Sequence, residues 1–286
     1  MDNLKAKKRH TEEIAVYSAI YVCAAFSVLL LLGIIIYVFA KGARRVNWAF
    51  LTGVTSILHG TVGIAGNILN TLIIILLTMI ITTPIGVGAA IYLNEYAKPG
   101  KLVTVIIFAT ETLAGIPSSI FGLFGMLFFG QLCHMGYSLL TGSLTLTLMV
   151  LPLVTRNTQE ALKTVPDSFR TGAVGLGAGK WYTIRTILLP SAMPGIVTGV
   201  ILAIGRIIGE SAALLFTAGS AHLLPKTFDA FLEKIFHSGG TLTIQLYLSA
   251  SKGEFEVAFG IAVVLLVIVL LINFGTKRLA KKLEKH

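Results

Sequence analysis

Six stretches of apolar residues, separated by shorter polar segments, set the pattern of this chain. A helix needs about 20 predominantly apolar residues to cross the hydrocarbon core of a bilayer, and all but the fourth stretch approach or exceed that length. The stretches are Ile14 to Ala40, Ile68 to Tyr92, Leu102 to Phe129, Leu139 to Val154, Gly195 to Thr217 and Val257 to Phe274. The pattern predicts an all-α membrane protein with six transmembrane helices in a single domain over residues 1–286.

Composition supports a membrane protein and argues against a soluble one. Of the 286 residues, 55% are hydrophobic and 13% are charged, and the mean hydropathy is +0.85. Soluble domains carry about twice this share of charged residues. Basic residues precede the first stretch, as in a secretory signal, but the stretch is longer than the roughly 7 to 15 apolar residues of a signal core. We therefore expect it to be retained as the first span.

The chain has a formal net charge of +10, and the distribution of its basic residues indicates how it crosses the membrane. With both termini placed in the cytoplasm, sixteen of the 23 Lys and Arg residues fall in inner segments, six fall in outer segments, and Arg206 lies within a span. An excess of Lys and Arg on the cytoplasmic side is typical of membrane proteins. Both termini are therefore predicted to be cytoplasmic. Topology and contact with membrane lipid explain the charge without nucleic acid.

The longest inner segment, residues 155–190, lies between the fourth and fifth spans. Its residues Thr164 to Asp167 resemble a helix start, and alternate glycines from Gly175 to Gly179 interrupt the helix that follows. A second helix is expected to end at Pro190. We interpret this segment as a compact cytoplasmic knob that docks into a partner and transmits its motion to the next span. The alternative interpretation is an ordinary ordered loop.

The fifth span carries two charged residues, Arg206 and Glu210, at a spacing of four. On a continuous helix this spacing places both on one face, so an ion pair one turn apart is expected. Charges at this depth are costly and by default mark a substrate or ion path, which makes this pair the candidate substrate pathway. The alternative is a structural ion pair that locks two helices. Four glycines would let another helix approach closely: Gly195 and Gly199, then Gly205 and Gly209.

Apolar residues recur at spacings of three and four in the last outer loop, residues 219–255. They are Phe228, Phe231, Leu232, Ile235 and Phe236, with charged residues between them. This spacing gives a helix one apolar face. It predicts a short helix lying on the outer membrane surface.

The one segment that resembles a cofactor-binding motif lacks residues that the motif requires. The run from Gly175 to Lys180 resembles a phosphate-binding loop, but Val174 and Trp181 occupy positions where that motif needs Gly and Ser or Thr. No spacing suggests a nucleophile or a metal site. We predict a chain that is not an enzyme and binds no cofactor or metal itself. The other class considered, a membrane-embedded enzyme, would need ionisable side chains clustered at one depth.

Seven residues of the inner segment resemble the loop by which permeases of ABC importers engage their ATPase. They are Thr171, Gly172, Ala173, Gly177, Ile187, Leu189 and Pro190. The family pattern reads Glu-Ala-Ala, three residues, Gly, nine residues, then Ile-x-Leu-Pro, and the spacing agrees throughout. The chain departs at the start, where Thr171 and Gly172 stand for the family's Glu and Ala. The resemblance implies a type I ABC importer permease fold and ATPase coupling through these seven residues.

Three further motifs are similar to the PstA-type permease subunit of bacterial phosphate-specific importers. They span Pro84 to Tyr96, Leu113 to Ser118 and Gly205 to Ala218. The resemblance implies import of inorganic phosphate across the bacterial plasma membrane. The implied partners are a second permease of PstC type, two ATPase subunits that use ATP and Mg²⁺, and an extracytoplasmic phosphate-binding protein. The alternative substrate is another oxyanion, such as sulfate or molybdate.

Overall fold

The chain folds mainly into α-helices, as predicted. The computed structural model describes residues 2–56, 61–225 and 227–283, so Lys226 and Lys285, counted above among the basic residues, lie outside the described residues. The helices in these ranges are α1 Asp2–Gly42, α2 Trp48–Thr52, α3 Ala65–Ile91, α4 Lys101–Gly115, α5 Ser118–Gly125, α6 Leu139–Lys163, α7 Asp167–Gly175, α8 Lys180–Thr183, α9 Leu189–Gly209, α10 Ala212–Thr217, α11 Phe228–Glu233, α12 Leu242–Ser251 and α13 Phe255–Leu283.

Short segments of other helix types extend several of these helices. They are 3-10 turns at Ala43–Arg45 and Lys234–Phe236, and π-helical segments at Tyr92–Tyr96, Met126–Leu132 and Ile184–Leu188. The last of these joins α8 to α9 without a gap. Residues 180–209 therefore form one continuous helical rod.

Five helical rods in the described residues are long and apolar enough to cross a membrane. They cover Val16–Arg45, Ala65–Tyr96, Leu139–Lys163, Lys180–Gly209 and Phe255–Arg278. Counting the bent pair of α4 and α5 as one crossing gives six. The predicted multi-pass helical architecture is confirmed.

The predicted third span, Leu102 to Phe129, is not one straight helix. α4 and the rod that begins with α5 meet at 103° across Ile116 and Pro117. A proline disfavours helical dihedral angles in the residue before it and offers no N–H to the preceding turn. Ile116 is accordingly extended, with φ −74° and ψ 132°, and Pro117 occupies the N-cap of α5. The proline therefore accounts for the bend.

Two other predicted spans have boundaries that are wrong by more than a turn. The fourth span, expected to end at Val154, continues as α6 to Lys163. The fifth, expected from Gly195 to Thr217, belongs to the rod that begins at Lys180 and ends at Gly209. Hydropathy follows the side chains, whereas a helix ends where its backbone hydrogen bonds and caps end.

α6 lies at the centre of the bundle, between α3 and α9. Leu146 and Val150 of α6 are fully buried against Ile74 of α3 and Ile207 of α9 in the largest core cluster. α13 closes this core against α9 and α12, and α1 packs mainly on α13 at the periphery. Lipid chains are as apolar as the helix side chains, so the hydrophobic effect does not drive helices together within a bilayer. Packing and hydrogen bonds therefore hold these helices together.

Hydrophobic periodicity does not predict two elements at the end of the bundle opposite α7. Strands β1 (Val54–Ser56) and β2 (Thr61–Ile64) pair antiparallel in the first loop. α12 lies in the last loop and packs on α13 and α3. A short helix does lie in that loop, α11 with its 3-10 extension, and its predicted position on the outer membrane surface stays a prediction. Lys234 in that extension donates from Nζ to the Leu223 carbonyl, and burial lowers its pKa.

Two buried asparagines at the start of α3 fix the last loop to the bundle. Nδ2 of Asn67 and Nδ2 of Asn70 each lie 2.9 Å from the Gly240 carbonyl oxygen, and Asn70 also donates to Ala221 at 3.1 Å. A buried amide left without a partner costs about 1–3 kcal/mol. These bonds therefore hold the loop against α3.

Candidate functional site

A cavity of about 210 Å³ lies between α4, α6 and α9, and it contains Arg206. α4 contributes Glu111 and α6 contributes Arg156, so three charged side chains from three helices share one space. The remaining lining residues are Thr110, Ala114, Met149, Pro152 and Leu153. We call this space the arginine cavity.

The charges of the arginine cavity suit an anion with several oxygen atoms. Two guanidinium groups and one carboxylate leave one formal positive charge. A guanidinium presents a rigid planar fork of donors that matches two oxygens of a phosphate or carboxylate. Charged groups inside a membrane protein are costly, face cavities and mark substrate pathways. The cavity is therefore the best-supported binding site in the described residues.

Sequence reasoning missed Arg156, which it counted among the basic residues of the inner segment. The error follows from ending the fourth span at Val154, since α6 continues to Lys163. A signal was present in the sequence: Met149, Leu153 and Arg156 recur at spacings of four and three, which place them on one helix face. All three line the arginine cavity.

The predicted ion pair between Arg206 and Glu210 is wrong. α9 ends at Gly209, and Glu210 is extended with φ −82° and ψ 121°, so the two residues do not lie on one helix face. Oε1 of Glu210 instead accepts a hydrogen bond of 3.0 Å from the Ala213 N–H, in the first turn of α10. The first N–H groups of a helix have no partner within the helix, which explains why this carboxylate is used there.

Half of the predicted glycine seam brings α9 close to α6. A Cβ on Gly195 would lie 2.5 Å from Cβ of Ala161, and one on Gly199 would lie 2.6 Å from Cβ of Asn157. Side chains at these two glycines would push the helices apart, and with them the two arginines. Gly205 and Gly209 have nothing within 4 Å of an added Cβ in the described structure, so for them close approach of another helix stays a prediction.

The predicted coupling residues lie in two helices and the turn between them. We call residues 164–183 the α7–α8 segment. Thr171, Gly172 and Ala173 lie in α7, which begins after Pro166 as predicted. Gly177 has a φ of +80° and closes a turn by donating to the Val174 carbonyl at 2.9 Å. This confirms that the glycines interrupt the helix here, because residues with a side chain rarely adopt that φ.

The expectation that the second helix ends at Pro190 is wrong. Ile187 lies in the π-helical segment, and Leu189 and Pro190 begin α9, which continues to Gly209. Proline is tolerated in the first turn of a helix because the N–H it lacks would have no helical partner there. The candidate coupling residues are thus joined to Arg206 by one continuous rod.

The α7–α8 segment exposes large apolar side chains. Leu176 is 91% exposed, Val174 66%, and Trp181 and Tyr182 59% each. Contiguous exposed apolar residues rimmed by polar ones are characteristic of protein interaction sites. Thr171, which stands where the family has Glu, points its hydroxyl back to the Asp167 carbonyl at 3.2 Å.

Arg170 fastens the α7–α8 segment to the ends of α3 and α6. Its guanidinium donates to Oε1 of Glu95 at 2.9 Å, and to the carbonyls of Leu162 at 3.0 Å and Val165 at 2.9 Å. Asp167 accepts a further bond of 3.1 Å. The hydrogen bond to Glu95 is the main cause of a raised pKa of Arg170. Sequence patterns do not predict this contact, because Arg170 and Glu95 are 75 residues apart.

The fold combines several membrane-spanning rods with a charged cavity and an exposed apolar segment at one end of the bundle. The chain belongs to the family of binding-protein-dependent transport system inner membrane components, whose model matches residues 82–286. It is therefore a multi-pass membrane protein and a relative of ABC transporter permease subunits.

Named relatives confirm the resemblance to PstA-type permeases. The chain is 34% identical to the phosphate transport system permease protein PstA of Xylella fastidiosa (strain Temecula1 / ATCC 700964), over 84% of this chain and 82% of that protein. It is 34% identical to PstA 1 of Mycobacterium tuberculosis (strain ATCC 25618 / H37Rv), over 79% of this chain and 69% of that protein. It is also 35% identical to the probable ABC transporter permease protein YqgI of Bacillus subtilis (strain 168), over 92% of this chain and 93% of that protein.

Solved structures confirm the type I ABC importer permease fold. One is a chain of the bacterial alginate ABC transporter in complex with its alginate pentasaccharide-bound periplasmic protein, with a TM-score of 0.71 and 14% identity over 97% of this chain and 98% of that one. Another is a chain of the inward-facing MetNI methionine ABC transporter, with a TM-score of 0.58 and 20% identity over 77% of this chain and 94% of that one.

Proposed function

We propose that this chain is the membrane-spanning permease subunit of an ATP-driven importer, and that it passes inorganic phosphate inward across the bacterial plasma membrane. The observation that carries the proposal is the arginine cavity, where Arg156 and Arg206 from two different helices face one space. The relatives named as phosphate permeases support phosphate as the substrate. The chain performs no chemistry itself, since the partner ATPase consumes ATP with Mg²⁺.

The charged groups of the cavity have distinct roles in this proposal. Arg206 and Arg156 bind phosphate oxygens through their donor forks. Glu111 offsets part of their charge in the empty cavity, and it accepts a hydrogen bond from a protonated phosphate oxygen, a donor that sulfate lacks at neutral pH. Glu210 remains a pathway residue as a positioning group, because its bond to α10 fixes the end of α9 one turn beyond Arg206.

Reconstitution tests the substrate. The chain is co-purified with a PstC-type permease, the ATPase dimer and the phosphate-binding protein, and the complex is placed in liposomes. Radiolabelled phosphate is expected to accumulate with ATP and Mg²⁺ and not with a non-hydrolysable ATP analogue. Sulfate and molybdate serve as matched oxyanions. Accumulation of either without phosphate would replace this proposal by the other-oxyanion alternative.

The α7–α8 segment is the proposed dock for the ATPase. Its exposed Leu176, Trp181 and Tyr182 supply an apolar contact surface. Ala173 is buried, so it supports the segment from within. Because Thr171 offers no carboxylate, the fastening role that the family gives to Glu falls here on Arg170 and its bonds to the bundle.

Gly177→Trp is expected to leave the protein inserted in the membrane and to abolish capture of the ATPase. The φ of +80° strains a bulky side chain by about 1–3 kcal/mol, and the added ring would stand on the docking surface. Gly177→Asn is the control, because Asn tolerates this backbone and should retain most capture. Pull-down of the ATPase from detergent extracts measures both. Unchanged capture by Gly177→Trp would place the dock elsewhere.

Cysteine labelling tests the direction in which the chain is inserted. After Cys23 and Cys133 are replaced by Ser, a cysteine at Lys180 is expected to react with an impermeant maleimide only in inverted vesicles. A cysteine at Lys252, at the opposite end of the bundle, should react only in intact cells. Both side chains are exposed in the structure, so access depends on the side of the membrane. The reverse pattern would overturn the predicted cytoplasmic termini.

A further inference from the structure

A second cavity, of about 690 Å³, lies far from the arginine cavity, where α1 ends and α13 begins. Lys41, Arg44 and Arg45 from the end of α1 line it, facing Glu256 of α13. Its apolar wall includes Tyr37 and Phe259, whose rings meet edge to face at 5.7 Å. We call this space the α1–α13 cavity. The transport function proposed above makes no use of it.

The cations of the α1–α13 cavity are poorly neutralised. The two ion pairs found among the described residues both belong to Arg170, so neither involves these three cations. Nε of Arg45 is buried and has no hydrogen-bond partner within the described part of the chain. Three cations against one carboxylate leave two formal positive charges. An anion bound in the cavity would offset this excess charge.

The cavity lies at the depth of lipid headgroups. The basic residues follow directly on the apolar part of α1, whose most hydrophobic stretch is wholly unburied within the chain. Trp48, the third residue after Arg45, is 78% exposed. Exposed Trp residues next to the end of a span are characteristic of the membrane–water interface.

We propose that the α1–α13 cavity binds the phosphate group of an anionic phospholipid, with the acyl chains lying along Tyr37 and Phe259. Lys41, Arg44 and Arg45 surround the phosphate and supply the positive charge that binds it. A protein partner fits less well, because the centres of protein interfaces are depleted in Lys and in unmatched charge. Basic pockets between transmembrane helices that bind anionic headgroups are best known on the cytoplasmic side, and the predicted topology places this one at the outer end of the bundle, so its ligand would come from the outer leaflet.

Native mass spectrometry of the purified chain tests the proposal in mixed micelles of phosphatidylglycerol and phosphatidylcholine. The wild type should retain phosphatidylglycerol selectively. Lys41→Gln combined with Arg44→Gln should weaken retention by about 30-fold. Each basic residue near a membrane surface contributes about fivefold to binding, and two such contributions multiply. Arg45 is left intact, because its guanidinium lies 5.8 Å from the Phe50 ring and helps to pack α2.

Two further variants separate binding from general surface charge. Glu256→Gln removes the opposing carboxylate and should strengthen retention, an effect that a purely structural role would not produce. Lys98→Gln combined with Lys101→Gln removes two exposed charges at the other end of the bundle and should change nothing. Equal retention by the Lys41/Arg44 variant and the wild type would overturn the proposal. So would displacement of the lipid by millimolar inorganic phosphate, which would identify a site for free phosphate instead.

Discussion

Replacement of Arg206 by alanine is expected to lower phosphate uptake by at least about 30-fold while the complex still assembles. Removing one partner of a desolvated, hydrogen-bonded charge pair costs roughly 2–5 kcal/mol. Arg206→Ala removes the guanidinium that would pair with phosphate, so phosphate in the cavity would be less stable by that amount. Arg206→Lys keeps the charge but loses the planar fork, so it should retain a fraction of the activity. Uptake into liposomes containing the full complex measures both variants.

Arg278→Ala is the matched control for this experiment, because Arg278 contacts the Phe274 ring of its own helix and does not line the arginine cavity. Arg156→Ala should act in the same direction as Arg206→Ala. If both side chains bind one anion, the double variant should lose less than the product of the two single effects. An assembled Arg206→Ala complex that transports at the normal rate would reduce Arg206 to a structural residue.

Arg170→Ala is expected to uncouple the importer. It removes the bonds that hold the α7–α8 segment to Glu95 and to the end of α6. Glu95 is nearly buried and would keep an unpaired carboxylate, which should destabilise the chain by about 2 kcal/mol, below the 3–5 kcal/mol of a fully buried pair. We expect ATP hydrolysis to continue while the phosphate transported per ATP falls several-fold.

Arg185→Ala supplies the control, since Arg185 is an exposed arginine in the neighbouring π-helical segment. Glu95→Gln should resemble Arg170→Ala, and the double variant should be little worse than either alone. Thermal unfolding of the chain and the ratio of phosphate to ATP are measured on the same preparations. A normal ratio in Arg170→Ala would mean that the contact only stabilises the fold.

The sequence predicts the number and the approximate position of the spans because hydropathy reports directly which segments suit lipid. It also predicts the turn at Gly177, because that glycine meets a local backbone requirement. It fails at Glu210, where the spacing rule assumes a helix that continues. The chain leaves the helix after Gly209 without a proline to mark the break.

The sequence predicts the candidate site only in part, because the site depends on contacts between distant segments. Arg206 stands out as a charge within an apolar run. Arg156 and Glu111 become partners of Arg206 only when α6 and α4 pack beside α9. The contact between Arg170 and Glu95 is likewise tertiary. Periodicity describes one helix at a time and contains no information about which faces meet.

The rod from Lys180 to Gly209 has a mechanical consequence. At 1.5 Å per residue, about 39 Å of helix separates Lys180 from Arg206. If the rod moves as a rigid lever, a tilt of about 10° at the α8 end displaces the guanidinium by roughly 7 Å, more than one helical turn of 5.4 Å. Bending at the π-helical segment or at Pro194, which both lie between Lys180 and Arg206, would reduce this displacement. A displacement of that size would withdraw Arg206 from the cavity. In the proposed function, a small movement at the proposed dock would then release the anion.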